Sequence, residues 1–315
     1  MTYLVWRQHR NQLFFASGAL AALALILLPT GLRLASSYHA GLRDCAASGS
    51  CGDLGGNLFR NYGLLFDLIG LTAAVPALFG VFWGAPLVAG EIEAGTHQLA
   101  WSQTVTRRRW LAAKAAWTLA GAAVWGAAMS ALITWWSGPV NAVNESRFNL
   151  GHFDTQGLVP VGYAVFAVAL GLTTGAVLRR VLPALAVTLG VFTAVRFAID
   201  YGLRQHYLLP VTKTLALGTP SVASGSFWTI GTRILTPLGQ TSDGINLSTL
   251  PAACKAFIGR DPLTQCLGAH GWRIATTYQP ASRFWTFQGI ETAIYLGMAV
   301  ALLAVCFRVV ARVDA

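Results

Sequence analysis

Residues 63–88 read GLLFDLIGLTAAVPALFGVFWGAPLV and contain a single charged side chain, that of Asp67. A helix of about 20 mostly apolar residues is long enough to cross the hydrocarbon core of a bilayer. The segment therefore predicts a transmembrane helix, and its extra length permits a tilt. Pro76 and Pro86 lie within it, and we expect a bend there because proline removes a helical hydrogen bond.

The rest of the chain is similarly apolar. Of its 315 residues, 55% are hydrophobic and 11% are charged, whereas soluble domains carry about 25% charged residues. Six segments are long and apolar enough to span a membrane: residues 13–33, 63–88, 111–136, 158–178, 182–203 and 286–307. The sequence therefore predicts an all-α polytopic membrane protein with six transmembrane helices.

Basic residues mark one side of this predicted protein. If the six spans alternate, one side carries Arg7, Arg10, Arg107, Arg108, Arg109, Lys114, Arg179, Arg180, Arg308 and Arg312. The positive-inside rule then places both termini in the cytoplasm. Residues 1–12 are predicted to form an amphipathic helix on the inner membrane surface, followed by the first five spans over residues 13–203. Residues 286–315 form the last span and a cytoplasmic tail.

The connection over residues 204–285 is too long for a simple turn and predicts a small extracellular subdomain. Pro251 and Gly259 bound one predicted short helix, and a second ends at Gly268. Alternating residues over 272–278 indicate a short strand. The subdomain is predicted to cover the outer mouth or to receive a substrate.

Four cysteines fall on the predicted outer side: Cys45, Cys51, Cys254 and Cys266. An even number in an oxidising compartment indicates disulfides, and the local pairs Cys45–Cys51 and Cys254–Cys266 are the simplest assignment. A zinc site is the competing interpretation, although the spacings differ from those of common zinc motifs.

Four charged residues lie within or at the edges of apolar spans: Asp67, Arg196, Asp200 and Glu291. A charge at the bilayer centre costs roughly 2.5–3.5 kcal/mol on insertion scales, so these groups should find partners. Arg196 and Asp200 are four residues apart and share one helical face. We predict one outer polar cluster, which acts either as a structural ion pair or as an extracellular gate.

Aromatic residues on the second and fifth spans form another candidate set: Phe79, Phe82, Trp83, Phe192 and Phe197. Their side chains could line an apolar substrate path. The alternative is that they pack helices together or face lipid, as most aromatic residues of membrane proteins do.

Residues 89–110 form a short, highly charged connection between the second and third spans. A chain with few charges that concentrates them in one cytoplasmic connection is expected to contact a soluble partner there. No Gly-x-x-x-x-Gly-Lys-Ser/Thr occurs, so the chain has no P-loop of its own. No His-Glu-x-x-His or Gly-x-Ser-x-Gly is present either, and we expect no enzymatic activity.

The pattern Glu91-x-Glu93-Ala94-Gly95-Thr96, followed by Thr104-Val105-Thr106-Arg107 and Lys114, resembles the cytoplasmic signature of type-2 ATP-binding-cassette exporter permeases. Residues 86–91, 101–103 and 278–285 are similar to the actinobacterial branch of that family. The resemblance implies a multi-pass permease of a bacterial plasma membrane that forms a dimer, most simply a homodimer. It also implies two copies of a separate cytoplasmic ATPase, which bind ATP and Mg while this chain binds no cofactor or metal.

The resemblance assigns coupling to the ATPase to seven residues: Glu91, Glu93, Gly95, Thr96, Arg107, Arg108 and Arg109. Gly95 permits a sharp backbone turn, and Thr96 can cap the short helix that follows. Glu91 and Glu93 can pair with an ATPase surface or with the arginines, which can also anchor the connection to anionic lipid. The family places the path of a hydrophobic or amphipathic substrate mainly between the second and fifth spans.

Two other functions fit the composition. A transporter driven by an ion gradient would need polar ion sites deep in the spans, which the sequence does not contain. A non-transporting sensor or assembly protein with a ligand-binding extracellular loop remains open. Nucleic-acid binding is not expected, because the basic residues are scattered along membrane boundaries.

Overall fold

The computed structural model describes residues 2–48, 54–96, 106–143, 147–148, 150–219, 227–260 and 262–312. The chain divides into two compact units. The membrane unit contains Met1–Val140, Leu150–Arg204 and Trp285–Ala315. The loop unit contains Asn141–Asn149 and Gln205–Phe284. The second range of the loop unit overlaps the predicted subdomain of residues 204–285, whereas the first comes from the preceding connection.

Within the described residues, six helical segments are long and apolar enough to cross a membrane. They are numbered spans one to six: Phe14–Ala47, Arg60–Glu93, Arg107–Trp136, Val159–Leu178, Val181–His206 and Ala281–Arg312. Their number and order confirm the prediction of a helical polytopic membrane protein with six spans. Five of these spans extend beyond the predicted apolar runs, because helical hydrogen bonding continues past the last apolar side chain, whereas span four lies within its predicted run.

Span one belongs to a single helix, Thr2–Ser48. Residues 2–12 form the first turns of this continuous helix, and the apolar span within it begins at Phe14, next to the predicted boundary at residue 12. The sequence from Arg10 to Ala16 contains no glycine or proline that would end a helix. The position of these first turns on the membrane surface stays a prediction.

Span two is an interrupted helix. Its parts are an α-helix at Leu54–Leu71, a 3₁₀ turn at Thr72–Ala74, an α-helix at Val75–Phe79, a π turn at Gly80–Gly84 and an α-helix at Ala85–Glu93. Pro76 and Pro86 both lie in the first turn of an α-helical part. Proline has no N–H to donate, so each lies where regular helical hydrogen bonding begins again. The two prolines identified in the sequence thus coincide with the irregular section of the span.

Glycines allow spans two and four to approach each other closely. A methyl group on Gly84 would lie 2.7 Å from the carbonyl oxygen of Val168, and one on Gly171 would lie 2.7 Å from the backbone nitrogen of Ala85. Larger side chains would push the two backbones apart, whereas small residues allow helices to touch in an apolar environment. This contact sets the position of the π turn against span four.

Span five begins as an α-helix at Val181–Phe197, continues as a π turn at Ala198–Leu203 and ends in a 3₁₀ turn at Arg204–His206. A π turn holds more residues per turn than an α-helix. Arg204 therefore remains close to the helix face of Arg196 and Asp200, although eight residues separate it from Arg196.

The loop unit contains a four-stranded antiparallel sheet. The strands are β1 (Val211–Ala216), β2 (Phe227–Leu235), β3 (Thr241–Ser242) and β4 (Arg273–Pro280), in the order β1-β4-β2-β3. The central strand β4 pairs with β1 and β2, with Tyr278 opposite both Val211 and Thr229. The alternation over residues 272–278 lies mostly in β4. The predicted all-α class therefore describes the spans and misses this sheet.

A disulfide joins two short helical segments beside the sheet. Cys254 lies in a 3₁₀ segment, Ala252–Phe257, and Cys266 lies in an α-helix, Pro262–Ala269. Their sulfurs are bonded, and their Cα atoms are 5.8 Å apart. Cys254 is buried among apolar neighbours that include Leu217, Leu250, Leu267 and Trp272. The bond thus closes the small core of the loop unit.

The remaining cysteines have different surroundings. Cys45 is buried near the end of the first helix, and its predicted partner Cys51 lies outside the described residues. Cys306 is buried in span six, where its thiol contacts the carbonyl oxygen of Leu172 at 3.5 Å. The pairing of Cys45 with Cys51 stays a prediction.

The segment Asn141–Asn149 joins the loop unit through aromatic contacts. The ring of Phe148 stacks on Trp228 with centroids 5.9 Å apart and meets Phe284 edge-on at 5.8 Å. Arg147 lies over the same Phe284 ring at 5.3 Å. Aromatic residues provide large apolar contact areas, which explains why residues 147 and 148 pack with residues 80 or more positions away.

Candidate functional site

The membrane unit contains a group of buried, mutually paired charges that we call the buried ion cluster. Its members are Asp154, Tyr163, Arg196, Asp200, Arg204 and Glu291. They come from the start of span four and the residues before it, from the end of span five and from the start of span six. The cluster therefore connects three spans near one end of each.

Arg204 lies at the centre of the buried ion cluster and is 1% exposed. Its Nη2 donates to Asp154 at 2.7 Å and to Asp200 at 2.5 Å. Its Nε and Nη2 also donate to the two carboxylate oxygens of Glu291, at 2.8 and 2.7 Å. The guanidinium further lies 4.4 Å from the ring centroid of Phe153. The planar guanidinium group of Arg204 thus contacts three carboxylates at once. A lysine ammonium could not reproduce this paired arrangement of nitrogens.

Arg196 provides the second positive charge. Its Nη2 donates to Asp154 at 2.8 Å and lies 3.4 Å from Asp200. Its guanidinium carbon is 3.7 Å from the ring centroid of Tyr163, a cation–π arrangement. Asp154 therefore bridges the two arginines.

Two tyrosines complete the surroundings of the charges. The hydroxyl of Tyr163 contacts Asp154 at 3.2 Å and makes a short hydrogen bond to Glu291. The ring of Tyr295 meets that of Tyr163 edge-on, with centroids 4.6 Å apart. Tyr295 is fully buried, and it interacts electrostatically with Arg196 and Glu291. Both phenols thus lie among ionised groups.

The structure brings together three of the four residues predicted for the outer polar cluster. Arg196, Asp200 and Glu291 are members of the buried ion cluster, and the predicted contact of Arg196 with Asp200 is present. Asp67 is exposed and makes none of these contacts, so its predicted membership is wrong. Its carboxylate lies on an outward face of span two, which hydropathy alone cannot distinguish from an inward one.

Sequence reasoning missed Asp154, Tyr163 and Arg204. Asp154 and Arg204 fall just outside the apolar runs, where charges usually face water. One signal was available for Arg204, because Arg196, Asp200 and Arg204 recur every four residues. Such spacing places side chains on one helical face, and it would have extended the predicted pair to three residues.

The predicted coupling connection begins with an ion pair between Glu91 of span two and Lys114 of span three. Lys114 is buried, and its ammonium lies 4.6 Å from the ring centroid of Trp110. Because Lys114 has little access to water, Glu91 provides the charge that compensates it. The pair ties the end of span two to the first turns of span three.

Glu93 connects the same end of span two to span five. Its Oε2 accepts a hydrogen bond of 2.8 Å from the backbone N–H of Val181, the first residue of the span-five helix. The first N–H groups of a helix have no partner within it, and a carboxylate there also interacts favourably with the helix dipole. The exposed end of span two is thus attached to two neighbouring spans through two acidic residues.

Near the end of the described part of this connection, Gly95 adopts a left-handed conformation, with φ of +69°. Its N–H donates to the carbonyl oxygen of Ile92 at 3.2 Å, and the Thr96 hydroxyl lies 3.4 Å from the carbonyl of Glu91. Glycine adopts this conformation without strain, in agreement with the predicted turn. The short helix that Thr96 was predicted to cap falls within residues 97–105, outside the described residues.

Span three begins with the three predicted arginines. The Thr106 hydroxyl caps the helix by accepting from the N–H of Arg109 at 3.4 Å. Arg108 and Arg109 are exposed, and Arg107 is half-buried. Arg108 also lines a cavity of about 400 Å³ together with Arg308 and Arg312 of span six. This end of spans three and six therefore presents a concentrated positive surface.

The five aromatic residues predicted for a substrate path do not share one surface. Phe79 is buried and meets Trp83 edge-on at 4.5 Å, and Phe192 is buried and stacks on Phe166 at 5.9 Å. Phe82 and Phe197 are each 57% exposed. Phe79 also meets Trp125 of span three edge-on at 4.9 Å. Phe79 and Phe192 thus pack spans together, as the alternative interpretation predicts, whereas more than half of the surface of Phe82 and of Phe197 is exposed.

An apolar cavity of about 350 Å³ lies beside span two. Its lining includes Phe15, Phe79, Phe82, Trp83 and Trp125. Trp125 donates from Nε1 to the carbonyl oxygen of Ala16 at 2.9 Å, which fixes span three against span one. Three of the predicted aromatic residues therefore contribute to one concave surface.

Comparison with known proteins identifies one family. Residues 17–204 match the family model described as "ABC-2 membrane transporter related". This range covers spans one to five, the charged connection and most of the buried ion cluster. No curated protein and no solved structure matches the chain.

Proposed function

Since the chain belongs to the family of ABC-2-related membrane transporters, we propose that it is the membrane-spanning subunit of an ATP-driven exporter. The family supports a permease subunit rather than an enzyme. The observation that supports ATP-driven coupling best is the charged end of span two, where Glu91 and Glu93 attach it to spans three and five. A force applied at this connection would reach three spans.

The ATPase would dock on residues 89–110 from the cytoplasm. Two features favour this surface: the exposed arginines at the start of span three, and the Gly95 turn that leads into the connection. ATP and Mg would be bound by two ATPase copies and not by this chain. Closure of the ATPases would displace the connection, and the ion pair of Glu91 with Lys114 would transmit the displacement to spans two and three.

The substrate path would lie at a dimer interface formed with a second permease copy, most simply an identical one, in a bacterial plasma membrane. Phe82 and Phe197, both exposed apolar side chains on spans two and five, suit a hydrophobic or amphipathic substrate. The buried ion cluster would hold the outer ends of spans four, five and six together until the path opens. The loop unit would then lie on the extracellular side, where its disulfide is stable.

Co-purification tests this proposal. The tagged full-length chain is isolated from its native cells in mild detergent, and its partners are identified by mass spectrometry. We expect a soluble P-loop ATPase in near-equal amount, and we expect Arg108→Gln with Arg109→Gln to reduce it severalfold. Arg260→Gln, an exposed arginine of the loop unit, is the matched control and should retain the ATPase. A folded chain that brings no ATPase contradicts the exporter proposal.

One observation favours a second function. The loop unit has its own apolar core and a disulfide, so it could bind a ligand as part of a non-transporting sensor or assembly protein. Growth of cells with and without the gene across a panel of drugs and ions distinguishes the two. Sensitivity to particular compounds on deletion supports export, whereas unchanged growth together with the absence of an ATPase supports the sensor.

A further inference from the structure

The buried ion cluster does not balance its charges. It sets three carboxylates, those of Asp154, Asp200 and Glu291, against the two guanidinium groups of Arg196 and Arg204. All five side chains are largely removed from water, and an uncompensated charge in such surroundings costs several kcal/mol. We propose that the cluster binds one exchangeable proton and that Asp200 carries it.

The hydrogen bonds of the three carboxylates differ in a way that selects Asp200. Asp154 accepts from both arginines. Glu291 accepts from two nitrogens of Arg204. The single hydroxyl proton of Tyr163 is shared between Asp154 and Glu291. Asp200 accepts from Arg204 at 2.5 Å, and its other oxygen is 3.4 Å from Arg196, beyond good hydrogen-bond geometry. Because donors stabilise the ionised form, the carboxylate with the fewest donors takes the proton most readily.

Exposure points to the same residue. The side chain of Asp200 is 9% exposed, against 5% for Asp154 and 0% for Glu291. A proton that exchanges with the surroundings must reach its acceptor, and Asp200 is the most exposed of the three carboxylates. Its position in the π turn of span five places it at the edge of the cluster.

Two unpaired polar atoms provide a second, independent observation. Within the described residues, Arg196 Nη1 and the Tyr295 hydroxyl are buried and have no hydrogen-bond partner. Buried polar groups are normally paired, and water satisfies many that are not paired by protein. The Arg196 guanidinium carbon lies 3.7 Å from the ring centroid of Tyr163, and the Tyr295 ring meets the same ring with centroids 4.6 Å apart. Both side chains therefore belong to the surroundings of the buried ion cluster.

The proton balance is simple. At lower pH the Asp200 carboxylate takes one proton from solvent and becomes a carboxylic acid, and the net charge of the cluster changes from −1 to 0. Around Asp200, residues before and in span four contribute Asp154 and Tyr163, span five contributes Arg196 and Arg204, and span six contributes Glu291 and Tyr295. The guanidinium groups stay protonated throughout. At higher pH the same proton returns to solvent.

This inference does not depend on the exporter proposal, because its readout is stability and protonation of the chain itself. In the unfolded chain Asp200 is ionised above its ordinary pKa of about 3.9. If the folded cluster holds one extra proton, stability falls as pH rises. The unfolding equilibrium constant would then increase by up to about tenfold per pH unit over the range in which the folded chain holds the proton and the unfolded chain does not.

Thermal unfolding of the purified full-length chain in lipid nanodiscs, between about pH 5 and about pH 8, tests the proposal. Asp200→Asn imitates the protonated acid, so we expect this variant to lose the proton-linked part of the pH dependence and to be at least as stable as wild type at the upper pH. Asp67→Asn removes an exposed carboxylate of span two and should keep the wild-type dependence. An identical pH dependence in wild type and Asp200→Asn would overturn the proposal.

Infrared spectroscopy provides a readout that does not depend on the stability of one variant. We expect wild type at neutral pH to show the carbonyl stretch of a protonated carboxylic acid, which disappears in Asp200→Asn and on raising the pH. Glu291→Gln neutralises a different carboxylate, so the cluster is already balanced and the band should disappear there as well. If Asp200→Asn does not fold, the presence of the band in wild type and its absence in Glu291→Gln still test whether the cluster binds a proton. A wild-type spectrum without the band rejects the bound proton.

Discussion

Arg204 and Glu291 form a two-pronged ion pair that joins the end of span five to the start of span six. Nε of Arg204 lies 2.8 Å from Oε2 of Glu291, and Nη2 lies 2.7 Å from Oε1. Both side chains are buried. Paired hydrogen bonds of this kind are among the strongest polar contacts in proteins and define the orientation of both groups.

Replacing Arg204 with methionine is expected to destabilise the protein strongly. Three buried carboxylates would lose their shared partner, and breaking a buried ion pair costs about 3–5 kcal/mol. Thermal unfolding in detergent measures the effect. Arg260→Met changes an exposed arginine of the loop unit and should leave the melting temperature nearly unchanged. Equal melting temperatures for the two variants would show that the cluster does not stabilise the fold.

The contact of Glu91 with Lys114 is expected to behave as a coupled pair. Lys114→Met removes the lysine that pairs with Glu91, and Glu91→Gln removes the carboxylate that compensates the buried ammonium. We expect the double variant to be less destabilised than the sum of the single variants, with a coupling energy of about 0.5–3 kcal/mol. Unfolding of the four proteins measures this difference. Strictly additive effects would contradict the pairing.

The glycine contact between spans two and four predicts a position-specific effect of an added methyl group. Gly171→Ala would bring Cβ to 2.7 Å from the backbone nitrogen of Ala85, so we expect a loss of about 1–3 kcal/mol. Gly190→Ala is the control, because no atom lies within 4 Å of its Cβ and alanine favours a helix. Comparable stability of both variants would exclude close packing at Gly171.

The disulfide of the loop unit is expected to stabilise that unit by about 2–4 kcal/mol. Replacing Cys254 and Cys266 together with alanine should increase limited proteolysis between β1 and β4. Wild-type protein treated with a reducing agent should be cleaved at the same sites. The reducing agent should have no further effect on the double variant, and an effect there would assign the protection to another thiol.

His152 is expected to change the pH dependence of stability in the direction opposite to that of Asp200. Burial lowers the pKa of His152 below its ordinary value of 6.5, because the charged imidazolium is poorly solvated there. The folded state thus favours the neutral ring. Its stabilising contribution is complete above the pKa of the unfolded chain and is lost as pH falls. His152→Gln should reduce the loss of stability on acidification, measured by thermal unfolding in the Asp200→Asn background.

Prediction from the sequence succeeded where a single segment carries the signal. The six spans follow from the length of apolar runs, and the irregular section of span two follows from Pro76 and Pro86. The turn at Gly95 follows from its chain position between a helix and a charged connection. In each case the physical cause lies within a short stretch of chain, so the local sequence is sufficient to predict the structure.

Prediction failed where the environment of a side chain depends on the rotation of its helix or on a partner that is distant in sequence. Asp67 and Glu291 look alike in sequence, since each is an acidic residue in an apolar run. One is exposed and the other fully buried. The strands of the loop unit were missed except over residues 272–278, because β4 pairs with strands whose own alternation is weak.

The sequence by itself determined that this chain spans a membrane six times, since an apolar run of sufficient length has a lower free energy in lipid than in water whatever its neighbours are. It also determined where the charged connection lies. Only the tertiary structure decided which charges meet. Arg204 contacts Asp154 and Glu291 across 50 and 87 residues of chain. Such contacts depend on how helices rotate and pack against each other, and the hydropathy of a segment does not determine that rotation.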